Sequence, residues 1–266
     1  MELSISHTTE YAYSAPVDYA LQKVRLRPLS SVMQVVEQWD VEIDGGKIEA
    51  SYLDHYGNNI DLVSITPGGT SLSIRASGQV STLNTTGVLG QVLGRAPLWH
   101  FLQPTALTIP GEAIKALPRV SSDVSAQLAE LHSLSDTILK TLPYMSGGTS
   151  VDTPAEEALQ SDTGVCQDHA QIFVAASRLS GLPARYVSGY LRINEQVQQE
   201  ATHAWAEAYV EGIGWIGFDI SNRISPDERY VRVATGLDYN EAMPIYGLRF
   251  GKPNVEKMLV SLQVQQ

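Results

Sequence analysis

The chain of 266 residues contains one cysteine, Cys166, so it forms no internal disulfide and nothing in it asks for an oxidising compartment. Positive charge is also scarce. With 18 Lys and Arg against 29 Asp and Glu, the formal charge is −11. Phosphate binding needs clustered cations, and the aromatic residues are not interleaved with basic ones, so a nucleic-acid partner is not expected. The acidity would favour cationic substrates such as amines; solubility is the plainer reading. No stretch approaches the run of about 20 apolar residues that spans a bilayer, and "MELSISHTTEYAYSAPV" has no basic region followed by an apolar one. The expectation is a cytoplasmic protein without membrane association. Internal repeats and low-complexity tracts are missing too, although "NEQVQQE" (194–200) reads as a polar loop.

An apolar content of 43% with 18% charged residues is that of a globular chain, long enough for one large domain or two smaller ones. Up to about Thr108 the segments "LSISHTTEYAYS", "QVVEQWDVEID", "KIEASYLDHYGNNIDLVSI" and "SLSIRASGQVSTL" alternate apolar with polar residues and favour β-branched and aromatic side chains. Turn signals separate them at Asp44-Gly45-Gly46, Tyr56-Gly57-Asn58 and Pro67-Gly68-Gly69, and the pattern predicts a β-sandwich. Near residue 121 the period becomes helical. Val124, Leu128, Leu131, Ile138, Leu139 and Leu142 recur on one stripe, with Ser121 or Ser122 as cap and Pro143 as stop. A second helix is expected at Thr153-Pro154-Ala155-Glu156, capped by Thr153 and closed by a Glu156 capping box. A third begins near Cys166 and ends at Gly181 and Pro183; strands follow in "ARYVSGYLRI", "ATHAWAEAYV" and "GWIGFDIS". The fold class is therefore α+β, with residues 1–108 as a β-rich domain and 109–266 as helices followed by antiparallel strands.

Cys166 follows Gly164 at the expected start of a helix, where free backbone N–H groups and the positive end of the helix dipole favour a thiolate. The same N–H groups suit the oxyanion of a tetrahedral intermediate. A nucleophilic thiol needs a base, and the base an orienting group. His7, His55, His100 and His132 are expected at the surface or in turns. His169 shares a helix face with Cys166 but has little freedom to swing between thiol and substrate, so a supporting or surface position is expected for it. Cys166-x-x-His169 is also a plausible ligand spacing, but it lacks the second pair that structural zinc requires. His203 is the better candidate. Strand alternation places it with Trp205, Glu207 and Tyr209, and a hairpin at Gly212-Ile213-Gly214 folds Asp219 back to a position opposite residues 205–207. Sequence alone leaves the parity of that register open. The plainer alternative makes Cys166 and His203 core packing and Asp219 a turn residue.

The segments "TGVCQDHAQIFVAASRLSGLPARYVSGYL", "THAWAEAYVEGIGWIGFDISN" and "YVRVATGLDYNEAMPIYGLRFG" resemble the transglutaminase-like superfamily of bacterial proteins, including its cysteine-protease type. "ISHTTEYAYSAPV", "RLRP" and "DHYGNN" resemble the β-rich N-terminal region that precedes the core in one bacterial branch. The resemblance implies a papain-like core, with Cys166 as nucleophile, His203 as general base and acid, and Asp219 as the residue that orients it. Two departures stand out. Asp219-Ile220-Ser221 replaces the common Asp-Pro-Thr, which predicts a less rigid loop, and Gln171 and Gln167 stand where histidine and arginine are common.

The reaction these residues imply is thiol-dependent acyl transfer or hydrolysis at amide or peptide bonds through a thioester, on a protein or peptide substrate. An amine acceptor would make the enzyme a transamidase, and water an amidase or cysteine peptidase. Trp205, Trp215, Tyr186 and Tyr190 are candidates to wall a dry channel favouring amines, or else core residues. No D-x-D-x-D-G loop is present, so neither metal nor cofactor is expected. The alternative function is a non-catalytic protein-binding module on the same fold. Oligomeric state is not legible.

Overall fold

The computed structural model describes residues 1–91, 95–193, 197–199, 201–250 and 256–266. The first half builds two facing antiparallel sheets. One contains β1 (Glu2–Val17), β3 (Gln34–Asp44) and β6 (Gly69–Thr82); the other contains β2 (Tyr19–Val24), β4 (Gly46–Leu53) and β5 (Asn59–Ile65). Alternation along β1 turns Leu3, Ile5, His7, Thr9, Tyr11 and Tyr13 inward. Tyr11, Tyr13, Leu72 and Ile74 meet Val24, Val63 and Ile65 of the facing sheet, which makes the sandwich core. Of the expected turns, Asp44-Gly45-Gly46 shows most clearly why it needs glycine, since Gly45 has φ +78°.

Past the sandwich come β7 (Val88–Gly90), a 3-10 turn over Leu98–Leu102, and the helices α1 (Glu112–Lys115), α2 (Val124–Thr141), α3 (Ala155–Leu159) and α4 (Cys166–Leu179). They are followed by β8 (Ala184–Leu191), β9 (Gln198–Gln199), β10 (His203–Val210), β11 (Gly214–Phe218), β12 (Tyr230–Gly236), α5 (Tyr239–Ala242), β13 (Ile245–Phe250) and β14 (Glu256–Gln265). Of the polar loop read at 194–200, residues 194–196 and 200 lie outside the described residues. The core sheet has the order β12-β8-β10-β11-β7, and α4 packs across it. Ala204, Ala206 and Ala208 of β10 leave room for Ala170, Ile172 and Phe173 of the helix, and Phe173 stacks on Phe218 at 5.0 Å. The fold is thus α+β, a β-sandwich followed by a papain-like core of helices on an antiparallel sheet.

Sheet membership crosses residue 108 in both directions. β7 extends the core sheet, while β13 pairs with β2, β14 with β1, and β9 with β14. The sequence reading places no strand at β2, β7, β9, β12, β13 or β14, and takes β9 as part of a polar loop. These strands take their regularity from partners elsewhere in the chain.

Two expected caps are replaced. Asp123, not Ser121 or Ser122, caps α2 by accepting from the Ser125 N–H at 3.0 Å, and Glu130 takes the Ser121 N–H. Glu156 closes no capping box. Its carboxylate accepts the N–H groups of Gly111, Ala113 and Ile114 at 2.8–3.0 Å, so it caps α1 across the fold. The end of α4 follows expectation, with Gly181 at φ +84° and Leu182 N–H donating to the Ser177 carbonyl. Arg178, buried near that end, donates to the carbonyls of Phe101, Ala184 and Leu237 and pins the helix to its neighbours.

The sandwich and the core meet where Leu3, Ile5, Val80, Leu262 and Val264 pack on Tyr190, Val231 and Val233. His7 lies in this junction, which corrects its expected surface or turn position. Its Nδ1 is 3.0 Å from the Tyr190 hydroxyl, its Nε2 is 3.2 Å from Thr9 Oγ1, and burial lowers its pKa to about 4. His100 is half-buried against the Tyr56 hydroxyl, while His55 and His132 are exposed. Among the described residues no helix is long and apolar enough to cross a membrane.

Candidate active site

Cys166 is the first residue of α4. Asp168, buried in the first turn, accepts the Val165 N–H at 2.8 Å and the Thr149 hydroxyl at 2.6 Å, which fixes how the chain enters the helix. A Cβ on Gly164 would lie 2.7 Å from Leu142 Cδ2 and 3.1 Å from Asp168 Oδ2, so a side chain there would displace this entry. The thiol is partly exposed. The helix N-terminus behind it supplies backbone N–H groups that have no intrahelical acceptor.

The register left open by the sequence is now visible. Ala206 pairs with Phe218 across the hairpin, which puts Asp219 opposite Trp205 and diagonal to His203 on the same face. His203 Nε2 donates to Asp219 Oδ2 at 2.6 Å. The ring lies over Trp205, with centroids 6.3 Å apart, and is flanked by Tyr230. Cys166 and His203 line the same cleft, the Cys166 sulfur is near enough to act on the imidazole electrostatically, and with Nε2 committed to Asp219 the nitrogen left for the thiol is Nδ1. The structure therefore brings Cys166, His203 and Asp219 together from a helix start and two neighbouring strands.

Burial opposes a charge on His203, but the sulfur of Cys166 and the carboxylate of Asp219 outweigh it and raise the imidazole to about 10. Asp219 is also buried, which by itself would raise its pKa. His203 together with the donors Asn222 and Tyr230 reverses this and holds the carboxyl below its ordinary value. The Tyr230 hydroxyl donates to Oδ2 at 2.6 Å and Asn222 Nδ2 at 2.7 Å, while the Asn222 N–H donates to Oδ1 at 3.2 Å. The sequence reading missed both residues. Asn222 carries a weak signal, an asparagine three residues after Asp219 in a turn; Tyr230 comes from β12, a strand whose position cannot be read locally.

His169 is wholly buried rather than at the surface. Its Nε2 must donate to the Leu142 carbonyl at 2.8 Å, so Nδ1 accepts from the Ser221 hydroxyl at 2.8 Å. Burial lowers its pKa, and the neutral ring has no nitrogen left for a proton transfer or a metal. Ser221 thereby ties the loop after Asp219 to α4. That loop is not loosened by the absence of proline, because Asp219 and Ile224 exchange both backbone hydrogen bonds and Ile220 is buried among the helices. Gln167 donates to the Val151 carbonyl, and Gln171 is fully buried in α4. Among the described residues no three His, Cys, Asp or Glu side chains gather as a metal site.

Cys166 and His203 open into a cleft of about 1170 Å³. Of the four aromatic residues considered as a channel, only Tyr186 lines it. Trp205, Trp215 and Tyr190 belong to buried clusters behind the site.

The model of the transglutaminase-like superfamily matches residues 115–220, and that of the bacterial transglutaminase-like N-terminal region matches residues 3–81. An uncharacterized protein of Mycobacterium leprae is 27% identical over 270 residues, covering 94% of each chain. An uncharacterized protein of Mycobacterium tuberculosis is 29% identical over 294 residues, covering 98% of this chain and 90% of the relative. Among solved structures, a "Putative Cysteine Protease from Cytophaga hutchinsonii" superimposes with a TM-score of 0.74 at 21% identity, covering 100% of this chain and 98% of that one.

Proposed function

Through residues 115–220 the chain belongs to the transglutaminase-like superfamily, with the bacterial N-terminal region ahead of that core, and from this membership and the geometry of the cleft we propose that it catalyses thiol-dependent acyl transfer at amide bonds. Cys166 attacks the carbonyl carbon as a thiolate, and the oxyanion that forms is met by the Cys166 backbone N–H at the start of α4. His203, protonated at Nδ1, gives that proton to the departing ammonia or amine as the C–N bond breaks, leaving a thioester. It then takes a proton from the acceptor, whose attack releases the acyl group and restores the thiolate beside a protonated His203. Asp219 holds the imidazole in orientation and keeps its positive charge stable.

The observation that carries this reading is the buried Asp219 on one nitrogen of His203, with the ring and the Cys166 thiol lining the same cleft. A core histidine needs hydrogen-bond partners but not an ionised carboxylate on one nitrogen and a solvent-facing thiol in the same cleft. Such a pair suits both an amine and a water acceptor, so transamidase, amidase and peptidase share this mechanism. Taking 1–108 and 109–266 as the two domains, the chemistry belongs to the second. The thiol must stay reduced, which fits a cytoplasmic protein.

Alkylation of Cys166 by iodoacetamide tests the assignment of the base. His203→Ala is expected to lose the fast reaction at neutral pH, and His169→Ala to retain it wherever the protein stays folded. Equal rates in the two variants would remove His203 from the site.

A further inference from the structure

One wall of the cleft comes from the far end of the chain. Met258, Leu259, Val260 and Ser261 of β14 line it together with Cys166 and His203. β14 pairs with β1 along its whole length without a register shift, but on its other side β9 reaches only Leu262 and Gln263. Among the described residues, 256–261 therefore present an open strand edge. Val264 N–H donates to the Val197 carbonyl on the β9 side. Since backbone groups alternate sides along a strand, Met258 and Val260 direct both N–H and C=O toward that open edge, whereas Leu259 and Ser261 direct theirs to β1. Long exposed edges of apolar residues are ordinarily avoided because they recruit another strand. Here Met258 is 61% and Leu259 is 63% exposed.

The charge of the cleft narrows the occupant. Although the chain carries a formal charge of −11, none of the described residues lining the cleft is Asp, Glu, Lys or Arg. Ile193, Leu191, Val151 and Tyr144 add apolar surface around Cys166. Apart from the Cys166–His203 pair itself, an ionic substrate segment would find no counter-charge among these described residues and would lose hydration there, while an apolar one would lose nothing of the kind.

We propose that the substrate is an extended, uncharged and apolar polypeptide segment that joins the open edge of β14 at Met258 and Val260 and so lies across Cys166. This rests on the acyl-transfer reading of the same cleft. It gives the sandwich a part in the reaction, since β14 is a strand of the sandwich sheet. Backbone hydrogen bonds at the edge would supply affinity, and the neutral walls selectivity.

Binding to the Cys166→Ala chain tests this without chemistry. The probes are dye-labelled, end-blocked heptapeptides with a central glutamine flanked by leucine and valine, and matched peptides with glutamate or lysine at the flanking positions. The apolar peptide is expected to bind at least roughly tenfold tighter than either charged one. Val260→Pro, which removes an N–H that β1 does not use, is expected to weaken it roughly tenfold, the equivalent of one hydrogen bond. On binding, amide exchange should slow at Met258 and Val260 and stay as it was at Leu259. That measurement needs no substitution in β14, so it decides the matter even if Val260→Pro fails to fold. Equal affinity for the three peptides, unchanged exchange at Met258 and Val260, or no binding of the apolar peptide would overturn the proposal. If the apolar peptide binds as described but leaves no acyl group on Cys166 of the native chain, the edge stands and the acyl-transfer reading falls.

Discussion

Replacing Asp219 by Asn removes one charge from the site and almost no volume. Three donors, His203 Nε2, Tyr230 Oη and Asn222 Nδ2, converge on Oδ2 at 2.6–2.7 Å, so the carboxamide must place its oxygen there and its NH2 group at the Oδ1 position. These three hydrogen bonds survive as neutral-acceptor bonds, while the Asn222 N–H, 3.2 Å from Oδ1, loses its acceptor. The difference between a charged and a neutral acceptor is about 1–2 kcal/mol for the bond from His203, which corresponds to about one pH unit or roughly 5- to 30-fold. The sign follows from His203. Its pKa is raised to about 10, so the imidazolium persists through neutral pH and is lost as pH climbs through that value. Without the Asp219 charge the loss begins about one unit lower. The assay is the rate of Cys166 alkylation by iodoacetamide across the neutral and alkaline range, together with NMR titration of the His203 ring. Asp219→Asn should shift the His203 titration downward by about one unit, with alkylation at pH 7 little changed because the imidazolium still predominates there and a divergence from wild type appearing only as pH approaches the lowered value. An unaltered His203 titration in a folded Asp219→Asn protein would refute the argument that the carboxylate stabilises the imidazolium.

Tyr230→Phe takes one donor from Asp219 and is expected to move the Asp219 carboxyl pKa upward, as read by NMR titration of that carboxyl against wild type; an unmoved titration would contradict the role given to Tyr230. Gly164→Ala forces a Cβ against Leu142 and should lower stability by about 1–3 kcal/mol in a urea titration, with slower Cys166 alkylation. For His7, the folded pKa of about 4 lies below the ordinary 6.5, so the stability it contributes is present above 6.5 and is lost as pH falls toward 4, by up to about 3 kcal/mol. Urea midpoints of wild type and His7→Gln should converge over that window, and parallel curves would contradict it. Activity should survive a chelator; loss reversed by calcium would show a metal requirement that no described cluster of side chains explains.

The parts of the fold that were legible in the sequence are those whose signal is local. β1, β6, α2 and α4 follow from alternation or helical period, and the hairpin of β10 and β11 from its glycines. The positions of His203 and Asp219 on that hairpin could be narrowed to a diagonal pair, but parity needed the observed pairing of Ala206 with Phe218. What stayed illegible depends on distant partners. β13 and β14 carry little period of their own and are ordered by β2 and β1. Glu156 looked like the end of its own capping box because its true partners lie more than 40 residues away. Local pattern likewise cannot show that His7 is buried by a junction of two sheets, or that Tyr230 reaches Asp219.

The account rests on Cys166 carrying an acyl group, and intact-protein mass spectrometry reads that directly. After incubation with cell lysate, the native chain is expected to gain mass on the peptide containing Cys166, and the adduct should leave as a new amide when a primary amine is added or as an acid without it. His203→Ala should gain little under the same conditions. A native chain that stays unmodified, or one whose adduct sits elsewhere than Cys166, would contradict the account.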